Sequence, residues 1–114
     1  MITAAAFVVA AMAGALARAE AGRRWNRHDG LAVGTLIVNV TGSFMLGLLS
    51  DAAPTTMTVV GVGGLGAYTT FSSFARDAVA VAELRHLTTA AVYVGATCVL
   101  GLAAASAGVA IASF

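Results

Sequence analysis

Between Gly61 and Phe74 the chain reads GVGGLGAYTTFSSF, inside an apolar segment that extends from about Thr58 to Glu83. A helix crossing a membrane should be continuous, yet this stretch is rich in glycine, threonine and serine. Glycine in a helix interior is less favourable than alanine by about 1 kcal/mol. Irregular backbone at membrane depth is tolerated only where it is buried in protein or lines a cavity. The pattern predicts a break between about Gly63 and Thr70, where freed carbonyls or amides can hold an ion. Phe71 and Phe74 follow at i, i+3 spacing and project from one face beside the break. Together these features point to ion permeation rather than to a structural bundle.

Composition supports a membrane setting. Of the 114 residues, 60% are hydrophobic and 10% charged, and the mean hydropathy is +0.93. A soluble domain carries about 25% charged residues. The expectation is an all-α membrane protein with four spans, at about 2–19, 31–49, 58–83 and 87–112. At about 20 residues per span these occupy nearly all of a single unit over residues 1–114. The first apolar stretch, Met1 to Ala19, has no basic flank before it and reads as a retained helix rather than a cleaved signal. Glu20 to Gly30 reads as a polar, basic loop with Trp25 as an interfacial anchor. Asp51 to Thr56 reads as a tight turn holding the only proline, Pro54. Small residues in the second span (Gly34, Gly42, Gly47) and the fourth (Gly95, Gly101, Ala105, Gly108) suit close helix packing. The lone Cys98 excludes an intrachain disulfide and reads as a small packing residue. Four spans from one chain do not readily enclose a pore, so an oligomer is expected.

Polar residues within the apolar segments each allow two readings. Asn39 lies mid-span in GTLIVNVTGSF. It is either helix–helix glue or an NH2 donor facing an anion path. Thr69, Thr70, Ser72 and Ser73 either bond back to their own helix or serve the site beside the break. Phe71 and Phe74 either pack or present their positive ring edges to a small anion. Tyr93 and Thr97, four apart on the fourth span, share a face. They form either a polar track or an interfacial tyrosine with a self-bonded threonine. Arg18 and Arg76 lie near span ends and can snorkel to the interface. Asp77, beside Arg76, pairs with solvent or with an arginine.

Enzymatic chemistry is not indicated: no His/Cys/Asp cluster has metal-ligand spacing, and no nucleophile has a base near it in sequence. His28 and His86 read as solvated loop residues. No basic face suits nucleic acid.

Two motifs carry a family resemblance. GTLIVNVTGSFMLG (Gly34 to Gly47) followed by GLGAYTTFSSF (Gly64 to Phe74) resembles the signature pair of the Fluc/CrcB fluoride channel family, and the GALAR run ending at Arg18 resembles its first-span motif. The resemblance spans nearly the whole chain. It implies an antiparallel dimer of four-span subunits in the plasma membrane, with a broken third helix and two fluoride pores lined by both subunits. Asn39 matches the family's pore asparagine, and Phe71 and Phe74 match its paired phenylalanines. Thr70 and Ser72 fall in the motif beside them. Tyr93 and Thr97 match two members of a fourth-span polar track. Gly66 and Thr69 match positions whose backbone carbonyls hold a structural sodium ion at the two-fold axis. Arg18 matches an arginine at the end of the first span. Asp77 stands where the family usually has glutamate, and Gly101 where many members have serine. The implied activity is passive export of cytoplasmic fluoride, ionised from entering hydrogen fluoride.

A rival reading is a four-span multidrug-type transporter, which needs a mid-membrane carboxylate. The first span has none before Glu20. Charge placement adds an expectation about pairing. Arg18, Arg23, Arg24 and Arg27 lie in or near the first loop, and Arg76 and Arg85 lie toward the third. The opposite side carries no Lys or Arg. By the positive-inside rule the first and third loops face the cytoplasm and both termini face out. Such a bias opposes equal insertion both ways, so the expected partner is an oppositely biased paralogue.

Overall fold

The computed structural model describes residues 1–27, 32–84 and 86–114. Among them the chain is helical, with one isolated antiparallel bridge between Asn26 and Ala32. Helix α1 spans Ile2–Trp25 and α2 spans Val33–Leu48. Helix α3 covers residues 54–68 as one rod. It is α-helical over Pro54–Thr56, π-helical over Met57–Leu65 and α-helical again over Gly66–Tyr68. Helix α4 spans Phe71–Leu84 and α5 spans Leu87–Ala112. With α3 and α4 as the two halves of one interrupted helix, four helical units result.

Three local expectations change. Helix α1 does not stop at Ala19 but continues through Glu20–Trp25, so most of the expected first loop is helix. Alanine and arginine are good helix formers, and Glu20 pairs with Arg23 and Arg24 one turn on. Arg23 and Arg24 also sit in the last turn, where cations complement the helix dipole. His28 to Gly30, the end of that loop, lies outside the described residues, as does Arg85. Pro54 is not in a turn: it opens α3 near its first helical position, where its missing N–H leaves nothing unpaired. The glycine-rich run does not break the helix either. Gly61 to Leu65 stay in wide π-helical turns, and the interruption is confined to Thr69 and Thr70.

The molecule is a slab of 46 × 30 × 18 Å. Its long dimension matches a bilayer with its headgroups, about 40–45 Å. Its short dimension is less than two helix diameters of about 10–12 Å. Such a slab has little interior, and Val38 and Val81 are its only fully buried large side chains among the described residues. Val8, Val9, Met12 and Leu16 on α1, and Val92, Val99 and Leu102 on α5, are all exposed. Helices α1 and α5 are long and apolar enough to cross a membrane, and α2 is a shorter apolar helix. Helix α2 packs mainly on α5, and α1 packs on α3 and α2.

Glycines set the closest crossings. A Cβ on Gly47 would strike the Ala105 carbonyl oxygen, and a Cβ on Gly108 would strike that of Phe44. The α2 and α5 backbones therefore touch directly. A Cβ on Gly14 would likewise strike the Gly64 carbonyl, which brings α1 against α3. The small-residue pattern on α5 is not uniform, since Gly95 meets nothing within 4 Å.

Candidate functional site

The interruption between α3 and α4 has an identifiable cause. Thr69 leaves the helical region with ψ 160°, after its N–H and its hydroxyl have both bonded to Leu65 O, at 2.9 and 3.0 Å. Thr70 N–H then donates to Asn39 Oδ1 at 2.7 Å, while Asn39 Nδ2 donates to Thr70 O at 3.0 Å. One carboxamide thus satisfies both backbone groups of the residue at the break, in place of the helical ladder. Thr70 Oγ1 accepts from Ser73 N–H at 3.1 Å and so caps the start of α4, as Ser and Thr commonly do.

These bonds release two carbonyls. In an unbroken α-helix the N–H of Thr70 would hold the Gly66 carbonyl and that of Ser73 would hold the Thr69 carbonyl. Both N–H groups are directed elsewhere, to Asn39 and to Thr70 Oγ1. Gly66 is exposed and Thr69 is half-buried.

Next to the break lies a cavity of about 530 Å³, bordered by Asn39, Ser43, Gly66, Thr69, Thr70, Phe71, Phe74, Thr97 and Cys98. Six of the residues singled out from sequence for the pore or the ion thus share one space with Gly66. The Phe71 and Phe74 rings are 6.0 Å apart and tilted by 54°. Phe74 lies 5.6 Å from the Tyr93 ring, with 34° between the planes. Phe71 is 78% exposed, too open for a packing residue of this chain alone. Asn39 keeps one further amide N–H beyond its bond to Thr70. Thr97 Oγ1 donates back to Tyr93 O at 2.8 Å, the self-bonded arrangement, and the residue borders the cavity.

Tyr93 and Ser72 do not border this space. The buried Tyr93 hydroxyl has no hydrogen-bond partner among the described residues. Ser72 is exposed, with its hydroxyl 3.3 Å from that of Thr70. Cys98 is not packed within this chain: it is exposed and borders the cavity.

A second, polar cavity of about 170 Å³ is bordered by Arg18, Asn26, Thr35, Thr70, Ser73 and Arg76. Thr70 belongs to both cavities and forms the wall between them. Arg18 and Arg76, far apart in sequence, share this pocket. Asp77 sits beside it, accepting from Thr35 Oγ1 at 3.0 Å, with Arg76 Nε 3.8 Å away. Among the described residues its nearer partner is therefore Thr35, with Arg76 farther off. Thr35 also donates its N–H to Asn26 Oδ1 at 3.1 Å. Thr35, Asn26 and Ser43 were not singled out from sequence. A signal did exist for two of them: Thr35, Asn39 and Ser43 recur every four residues, a polar stripe along one face of α2.

A family model described as "CrcB-like protein, Camphor Resistance (CrcB)" matches residues 5–109. The chain belongs to the CrcB-like family. It is 39% identical over 97 residues to "Fluoride-specific ion channel FluC 2" of Rhodococcus jostii, covering 83% of this chain and 85% of that protein. It is 42% identical over 96 residues to "Fluoride-specific ion channel FluC" of Stutzerimonas stutzeri, covering 78% and 76% of the two chains. A third relative, "Fluoride-specific ion channel FluC 1" of Geobacillus kaustophilus, is 41% identical over 83 residues, with coverage of 69% and 72%. With its apolar helices, this member of the CrcB-like family is a membrane protein.

Proposed function

We propose that the chain is a subunit of a passive, fluoride-selective channel that exports fluoride across the plasma membrane. The observation that carries this reading is the shared cavity, where Asn39, Thr70 and Thr97 face the same space as the Phe71 and Phe74 rings. Fluoride is small and strongly hydrated, so its water must be replaced by donors. The free Asn39 N–H and rotatable hydroxyls supply donors, and the ring edges of Phe71 and Phe74 supply positive partial charge. Arg18 and Arg76 in the smaller pocket raise the local anion concentration at one mouth. Asp77, tied to Thr35, sits at the rim of that mouth.

The test is efflux from fluoride-loaded liposomes containing the detergent-purified chain, in which two copies are free to pair in either orientation. Fluoride will leave and chloride will not. Efflux no faster than from protein-free liposomes, both from this chain alone and from this chain paired with an oppositely biased paralogue, defeats the reading. A drug–proton exchanger of the rival type would instead need a carboxylate within the first span. Glu20 is engaged by Arg23 and Arg24 at its polar end.

Phe71→Ile and Phe74→Ile will each lower the initial efflux rate at least about tenfold, because an aliphatic side chain has no positive edge. The exposure of Phe71 means that the monomer fold does not depend on its ring. Undiminished flux from the double variant would remove the aromatic-edge mechanism.

The thin slab, the exposed Phe71 and the open cavity support completion of each pore by a second, antiparallel subunit. The carbonyls of Gly66 and Thr69, released at the break, would hold a structural sodium ion on the dimer axis. Held by carbonyls alone, it offsets the cost of an anion at mid-membrane. A structure of the assembled dimer in sodium will have an ion on the axis within about 2.3–2.6 Å of these oxygens, the range of hard-cation oxygen sites. A dry axis rejects the site.

The arginine bias implies cytoplasmic first and third loops and a partner of opposite bias. The C terminus, fused in turn to a reporter active only inside and one active only outside, will give signal from the outside reporter alone. Comparable signal from both reporters, with flux from this chain expressed alone, would establish a dual-topology homodimer instead.

A further inference from the structure

We propose that Ser43 is an additional anion-facing hydroxyl of the conduction path, reaching from α2 into the place that α5 leaves without a side chain at Gly101. This rests on the fluoride-channel reading. On α5, Tyr93, Thr97 and Gly101 follow one another at helical i, i+4 spacing. The first two carry hydroxyls, and the third carries nothing. A Cβ built on Gly101 meets a single atom within 4 Å, Ser43 Oγ at 3.7 Å. Ser43 is half-buried, and it borders the 530 Å³ cavity together with Asn39 and Thr97. It therefore lies one turn beyond Asn39 on α2, opposite the turn beyond Thr97 on α5.

The position has a physical consequence. An anion moving through an apolar cavity needs a donor within reach at each step, because a polar or charged group out of water without a hydrogen bond is strongly disfavoured. Beyond Thr97, α5 offers the cavity only the weakly donating thiol of Cys98, and Gly101 adds no side chain. Ser43 closes that gap. Its hydroxyl donates to Asn39 O at 2.7 Å, a carbonyl that also receives a helical N–H in the interior of α2. Rotation of the hydroxyl toward an ion thus leaves no backbone carbonyl unpaired. Thr97, bonded back to Tyr93 O, is arranged in the same way. Both hydroxyls are satisfied when no ion is present and free to turn when one arrives.

The experiment compares fluoride efflux from liposomes holding the parent chain, Ser43→Ala, and the double variant Ser43→Ala with Gly101→Ser. Assembly of each is read by size-exclusion chromatography. Alanine is the best helix former, so Ser43→Ala will assemble as the parent does. Its initial efflux rate will fall about tenfold, the loss of one hydrogen bond to a charged group. The double variant, which moves the hydroxyl across the same gap from α2 to α5, will recover most of that loss. A purely structural serine gives no reason for such a rescue. Parental efflux from Ser43→Ala overturns the proposal, as does failure of that variant to assemble or absence of rescue in an assembled double variant. If the parent chain releases no fluoride either alone or paired with an oppositely biased paralogue, the channel reading falls, and this inference falls with it.

Discussion

Asn39→Asp will assemble and will lose more than about tenfold of its fluoride efflux. In the wild type the carboxamide accepts from Thr70 N–H and donates to Thr70 O. Aspartate can keep the first bond. It replaces the second with two facing oxygens and no proton between them. It also removes the remaining amide N–H of a residue that borders the cavity and puts a negative charge where an anion must pass. Single polar pairs between membrane helices average only about 0.6 kcal/mol, so the helices will still associate while conduction fails. The measurement is initial efflux from liposomes beside size-exclusion profiles of both proteins. Wild-type efflux from Asn39→Asp would place this residue outside the ion path and leave it only the task of holding the break.

The second large effect is on assembly. Gly47→Val and Gly108→Val will each abolish recovery of monodisperse protein. At both positions the obstacle to a side chain is backbone of the facing helix: Ala105 O and Val109 N for Gly47, Phe44 O and Leu48 N for Gly108. Flexible side chains can yield to an added methyl group, but two helix backbones in contact must separate. Overpacking of an ordinary core costs about 1–3 kcal/mol. Here the separation would spread along the α2–α5 contact, the most extensive in the molecule. Gly95→Val on the same α5 faces open space and will be recovered as the parent is. Equal recovery of all three variants would show that the close crossing does not hold the fold together.

Much of the architecture was legible in composition and spacing. Long apolar segments with charges only toward their ends leave a chain no stable alternative to membrane helices, since every backbone group in a bilayer must be paired internally. The number of helical units and an interruption in the third could be read in this way. Candidate site residues could also be named, because Asn, Thr and Phe inside apolar segments stand out against an Ala, Gly and Val background. Their gathering around one cavity could not be read from spacing within any one segment. Thr97 on α5 and Asn39 on α2 meet Phe71 and Phe74 only after the helices pack.

The place of the break was decided by tertiary structure. Glycine weakness pointed broadly to Gly63 through Thr70, yet Gly61 to Tyr68 remain helical in wider turns. The helix ends where a partner competes for its ladder, and that partner is Asn39, 31 residues earlier in the chain. The same is true of Asp77. Its neighbour in sequence is Arg76, but folding brings the Thr35 hydroxyl closer. Local propensity determines where a backbone can yield. Which hydrogen bond it yields to depends on what the packed helices bring within about 3 Å, and a single segment read alone does not contain that information.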